Sequence, residues 1–210
     1  MKTEELISAL AVDTLPQPKV SSLLWRAVPL AVAVSLCAFV LFWGPRPDIV
    51  AAMSSYAVLK TLAPVVLVAL AMAFAVSSAH PASPQKIHAV LPGAVIAVAL
   101  GVFSVFLVHE GQSALVHALS MPDLWVCLLS VPVLAVPVLG GMLWALSSGA
   151  TTSPRLTGAL AGLVAGGAAA SVYSLYCNKD MVLFVLPAYS SAIAVVVLAG
   201  AALGPRLLRW

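Results

Sequence analysis

Apolar residues along this chain gather into six runs separated by short polar breaks, and each run is near the ~20 residues a helix needs to cross a hydrocarbon core. The first predicted span, 26–43, is bracketed by Trp25 and Arg26 at one end and Trp43 at the other, side chains that favour the membrane–water boundary, and Gly-Pro-Arg-Pro then breaks the helix. The second reaches residue 78. Its start is open, because 49–59 is apolar enough to carry the helix beyond the bilayer, with Lys60 near the outer boundary, where a lysine can snorkel to water. The third span is 89–108, reached through the polar loop 77–88. The fourth, 124–146, contains Pro132 and Pro137, which are expected to kink it. The fifth, 156–175, carries Gly158, Gly162 and Gly166 at intervals of four, a ridge of small residues that lets another helix approach closely. The sixth is 182–203, followed by Gly204, Pro205 and a closing Arg-Leu-Leu-Arg-Trp.

The polar island 176–181 between the last two spans places Cys177 at a membrane surface. The loop 147–154 is short, so the fourth and fifth spans are expected to be antiparallel neighbours. Cys127 and Cys177 lie about 24 and 26 residues from its midpoint, and at about 1.5 Å per residue they reach the same depth. They are therefore candidate partners. Cys37, inside the first span, has no evident partner and is expected to be a small buried hydrophobe.

Residues 1–22 form the one sizeable segment outside the six runs. Thr3 can cap a helix whose first turn holds Glu4 and Glu5, favourable beside the positive end of its dipole, and Pro16 and Pro18 end it. At 100° per residue Leu6, Ile7 and Leu10 share one face. A helix of about twelve residues is marginal alone in water, so its apolar stripe is expected to dock against something. A membrane-surface anchor is the competing reading, but such anchors carry Lys and Arg on the polar face, whereas this one carries Glu4, Glu5 and Asp13 against Lys2. The division follows: an N-terminal arm, 1–22, and a six-helix domain, 23–210.

Composition fits an all-α integral membrane protein. Charged residues make up 8% of the chain and hydrophobic ones 62%, with a mean hydropathy of +1.10; a soluble domain would carry about a quarter charged residues. The first apolar run starts too late for a cleaved signal peptide, so the first span is expected to act as the insertion signal. Lys2, Lys19, Arg26, Lys86, Arg155, Arg206 and Arg209 fall on the side of the N-terminus, with Arg46, Lys60 and Lys179 opposite. Positive residues accumulate on the cytoplasmic side, so both termini are expected there. Cys127 and Cys177 then face outward, into the periplasm of a bacterium, where disulfides form and persist.

Intramembrane charge for a proton relay or ion path is almost absent. A thiol oxidoreductase would show a C-x-x-C pair, which this chain lacks, so no enzyme activity and no cofactor are expected. His109, Glu110 and His117 lie with Asp123 in a predicted external loop near Cys127, and are weak candidates for a metal site shared with Cys177; their spacing matches no zinc motif, and solvated loop residues are the competing reading. A small membrane transporter or scaffold subunit remains open as an alternative to a binding protein.

The opening MKTEELISALAVDTLP, Lys60 leading the second span, CLLSVPVLAVPVL from Cys127, LYCNKDMVLFVLPAY around Cys177 and the ending LGPRLLRW resemble the NrsF-type membrane anti-sigma factors over nearly the whole chain. The resemblance implies a multi-pass inner-membrane protein that sequesters an extracytoplasmic-function sigma factor at its cytoplasmic face and releases it on an external stress signal, redox or heavy-metal in kind. Glu4, Glu5, Leu6, Ile7, Leu10 and Asp13 would then form the sigma-binding arm, and Cys127 and Cys177 the signal-sensing pair. The implied partners are that sigma factor and membrane lipid, with no direct nucleic-acid binding.

Overall fold

The computed structural model describes Thr3, residues 20–78 and residues 85–208, with the backbone alone at 85–93, 95 and 96. The helix expected in the arm, with Glu4, Glu5, Leu6, Ile7, Leu10 and Asp13, lies outside the described residues.

The described chain is all helical: α1 (Val20–Phe42), a short α2 (Ile49–Met53), a 3-10 turn (Tyr56–Val58) leading into α3 (Leu59–Ser78), α4 (Gln85–Leu119), α5 (Asp123–Leu146), α6 (Pro154–Tyr173) and α7 (Val182–Leu207). Among the described residues, six helices are long and apolar enough to cross a membrane. Their lipid-compatible faces carry Leu30, Leu41, Val66, Val105, Leu129 and Leu198, all exposed.

α6 is the centre of the bundle, with α7, α3 and α5 packed around it. Its small residues make this possible. A Cβ added at Gly162 would stand 2.6 Å from the Val196 carbonyl oxygen, and one at Gly158 would collide with the Gly200 carbonyl, so the α6–α7 contact is backbone against backbone. The expected ridge at Gly158, Gly162 and Gly166 thus meets a second small-residue set on α7, Gly200 and Gly204. On another side, Gly167 of α6 faces Val68 and the Pro64 carbonyl of α3. Helices gain little from apolar burial against one another inside lipid, so such close packing and interhelical hydrogen bonds supply the attraction. One of these bonds joins α1 to α5, from the buried Ser35 hydroxyl to the Leu134 carbonyl at 2.8 Å.

Three expectations are corrected. The third apolar segment does not give way to a loop after 108: the helix runs on to Glu110, breaks at Gly111 (φ 83°, ψ 168°), and a second helical stretch of α4 reaches Leu119. His109 and Glu110 therefore lie on one helical stretch and His117 on the next, because the polar residues after Val108 are compatible with helical backbone even where hydropathy drops. Cys37 is exposed. α1 buries Leu24, Ala31, Ser35 and Phe39, and Cys37, about 200° around from Ser35, falls on the other face. Lys60 does not reach out to water, as its contacts show.

Candidate functional site

Between α6 and α7 the chain leaves the bundle in an irregular turn, 174–181, and two basic residues from other elements close on it. The first is supplied by the end of α1. Gly44, at φ 73°, and Trp43 both donate their N–H to the Phe39 carbonyl at 2.9 Å, which closes the helix and turns the chain inward. Arg46 follows, with only 8% of its surface exposed. Its backbone N–H donates to the Leu175 carbonyl at 2.9 Å. Its guanidinium bonds both oxygens of Asp48, Nε to Oδ1 at 2.7 Å and Nη2 to Oδ2 at 2.6 Å, and from Nη1 reaches Asp180 Oδ1 at 3.0 Å and the Cys177 carbonyl at 3.2 Å.

The second is Lys60, in the first turn of α3 and 9% exposed. Its Nζ donates to Asp180 Oδ1 at 2.5 Å, to the Lys179 carbonyl at 3.3 Å, and to the same Cys177 carbonyl that Arg46 holds. Two weaker ties complete the frame: Lys179 pairs with Asp123 of α5 at 3.4 Å, and Thr61 and Ser174 share a hydroxyl hydrogen bond at 2.7 Å. The bonds from Asp48 and then Asp180 hold the Arg46 guanidinium more firmly protonated than usual. Asp48 is pushed down by its bond from Arg46. At Asp180 burial pushes the carboxyl up, but the bonds from Arg46 and Lys60 outweigh it and the net shift is downward.

Beneath this clamp lie the cysteines. Cys127, in the second turn of α5, and Cys177, in the turn, are both buried and close enough to share a hydrogen bond; neither is in a disulfide. The Tyr173 hydroxyl at the end of α6 lies 3.5 Å from the Cys127 sulfur. Tyr189 of α7 packs edge-on to Tyr173, with ring centroids 6.3 Å apart. Its buried hydroxyl has no hydrogen bond of good geometry among the described residues, and the polar group it bears on most closely is the Cys177 thiol. The Cys177 thiol is held down to about 6, first by its hydrogen bond with Cys127; burial opposes this, and the Lys179 backbone, the Lys60 charge and Tyr189 add to the lowering. The arrangement offers one sulfur, Cys177, with thiolate character at neutral pH, beside a second in the same buried cluster. Such a pair can be alkylated, oxidised to a disulfide or bridged by a thiophilic ion.

The two cysteines singled out in the sequence are thus brought together, and the candidate metal residues are not. His109 lines an open groove on α4 with Ser104, Val105 and Val108, and among the described residues no three His, Cys, Asp or Glu side chains come together as a metal site. Arg46, Asp180, Tyr173 and Tyr189 escaped sequence reasoning. The available signal was charge: in a chain with 17 charged residues in all, Arg46, Asp48, Lys60, Lys179 and Asp180 fall at one end of the bundle.

The protein family described as "Negative regulator of sigma F", NrsF, matches residues 9–210. The chain belongs to the NrsF family. A protein named "Anti-sigma-F factor NrsF" from Caulobacter vibrioides is 32% identical over 221 aligned positions that cover 100% of both chains. A second relative, "Probable anti-sigma-F factor NrsF" from Azospira oryzae, is 33% identical over 123 residues, 57% of this chain and 58% of that protein. No solved structure matches. In this NrsF-family chain the turn 174–181 and its clamp fall within the matched region, as do both cysteines.

Proposed function

We propose that this chain is an anti-sigma factor that holds an extracytoplasmic-function sigma factor at the cytoplasmic face of a bacterial inner membrane and releases it when Cys127 and Cys177 respond to a periplasmic redox or heavy-metal signal. The observation that carries this reading is the correspondence along the full length with a relative named as an anti-sigma-F factor. Seven of the ten Lys and Arg residues flank the spans on the side of the termini, which supports cytoplasmic termini and an outward-facing cysteine pair. The N-terminal arm supplies the partner surface: Leu6, Ile7 and Leu10 form the stripe that enters a groove on the sigma factor, and Glu4, Glu5 and Asp13 meet basic residues at its rim. Signal and partner then act at opposite ends of one bundle, with α3, α5 and α6 running between them.

The arm provides the test. Each buried aliphatic side chain contributes about 1.5–3 kcal/mol, so replacing Leu6, Ile7 and Leu10 together by Asp removes the attraction while leaving the spans untouched. Detergent-solubilised parent protein should retain its cognate sigma factor in a pull-down, and the triple variant should not. Retention by the triple variant at the parent's level overturns the assignment of the arm.

A further inference from the structure

Arg46 and Lys60 come from different elements, the connection after α1 and the first turn of α3, yet both donate to one acceptor, the carbonyl oxygen of Cys177. Neutralising two buried cations requires only a carboxylate, and Asp48 and Asp180 supply that. The bonds to main chain go further: Arg46 N–H to the Leu175 carbonyl at 2.9 Å, and Lys60 Nζ to the Lys179 carbonyl at 3.3 Å. Together they hold alternate carbonyls of the turn, 175, 177 and 179. A peptide group that accepts two cationic donors is fixed in its plane, and the Cys177 side chain leaves the backbone one bond from that plane. The thiol is therefore set by residues it does not touch.

We propose that Arg46 and Lys60 are positioning residues for Cys177: by gripping its carbonyl and the Asp180 carboxylate they fix its sulfur over Cys127 and join any movement of the turn 174–181 to the ends of α1 and α3. The proposal rests on the reading of Cys177 as the sensing thiol, and it gives that thiol a mechanical connection. A new bond at the Cys177 sulfur that rotates its backbone breaks the shared acceptor, leaving Arg46 to Asp48 and Asp180 and Lys60 to Asp180 and the Lys179 carbonyl. The tie of α3 to the turn at Lys60 is then weakened, and α3 packs directly on α6 through Val68 and Gly167. The Lys60 charge also favours the Cys177 thiolate, so the same clamp that places the sulfur keeps it reactive.

The test is alkylation of Cys177 by iodoacetamide in the full-length protein in lipid nanodiscs, followed by peptide-resolved mass spectrometry from about pH 5 to 9, with no sigma factor present. The parent should show a midpoint near 6. Lys60→Met should move that midpoint up, slowing alkylation at pH values well below it by up to roughly tenfold for each unit moved, and Lys60→Arg should restore it. Arg46→Gln should raise the plateau rate at high pH, because the turn no longer closes over the sulfur. Profiles of Lys60→Met and Arg46→Gln that superimpose on the parent's overturn the proposal, as does Lys60→Arg behaving like Lys60→Met. Should Lys60→Met fail to accumulate, Asp180→Asn decides by the same criterion: a raised plateau supports the clamp and an unchanged profile overturns it. The sensing role is separable, since shifted profiles beside a Cys177→Ser protein that still responds in a sigma-dependent reporter overturn the sensing and leave the positioning intact.

Discussion

At Asp180 burial favours the neutral acid, and the hydrogen bonds from Arg46 and Lys60 outweigh it, so the folded carboxyl stays ionised below its ordinary value. A depressed carboxylate contributes stability above its unfolded value of about 3.9, and that contribution is lost only as pH falls through the lower folded value. The clamp is therefore constant across the neutral range. Cys177 behaves differently. Its folded value of about 6 lies under the roughly 8.5 of a free thiol, so its contribution is complete above about 8.5 and is lost as pH falls toward 6. Thermal midpoints of the parent in detergent should rise across that window, and Cys177→Ser should flatten the rise. Asp180→Asn should lower the midpoint at every neutral pH, since Arg46 would keep Asp48 alone and Lys60 would be left with carbonyl acceptors. With Asp180 partly open to water, the loss should be about 1–3 kcal/mol, and an unchanged midpoint would show that water replaces the carboxylate without cost.

Between α6 and α7 the backbones touch through Gly158, Gly162, Gly200 and Gly204, and at Gly162 the atom in the way of a side chain is a carbonyl, which cannot swing aside. Gly162→Leu should separate the two helices and yield little folded protein by fluorescence size-exclusion chromatography. Gly140→Ala, where an added Cβ meets nothing within 4 Å, should be neutral or stabilising by up to about 1 kcal/mol. The contrast shows what spacing could and could not reveal. Intervals of four marked one face of α6 as small, but not that α7 was its partner, because spacing describes one helix at a time. Run lengths placed α5, α6 and the start of α7 to within a few residues, and the depth argument put Cys127 and Cys177 at one end. Depth is legible from counting, whereas rotation about the helix axis is not. Cys37 therefore faces outward although its place within an apolar run suggests burial, and Lys60, expected to reach for water, turns inward to Asp180. In α4, falling hydropathy after Val108 marked a change of environment that the backbone ignored until Gly111. The clamp was the least legible feature, since Arg46, Lys60 and Asp180 are joined only by tertiary placement.

For the whole molecule, membership of the NrsF family and the placement of the two cysteines at one end of a six-helix bundle lead to an account in which a thiol event at the Cys177 end governs a partner bound at the other. α6 lies at the centre of the bundle, touches α3, α5 and α7, and ends at the turn that carries Cys177. Cys127 sits on α5, joined to α6 at the far end by the short connection 147–153. In the proposed mechanism a shift in either cysteine would be carried by helices that meet again at the opposite end, where α1 starts. The most direct test is a sigma-dependent transcriptional reporter in cells carrying the parent, Cys127→Ser or Cys177→Ser, treated with a thiol oxidant or with cadmium. The account expects the parent's reporter output to change on treatment and both single variants to lose that change. If both variants respond as the parent does, the cysteines are structural and the account is contradicted.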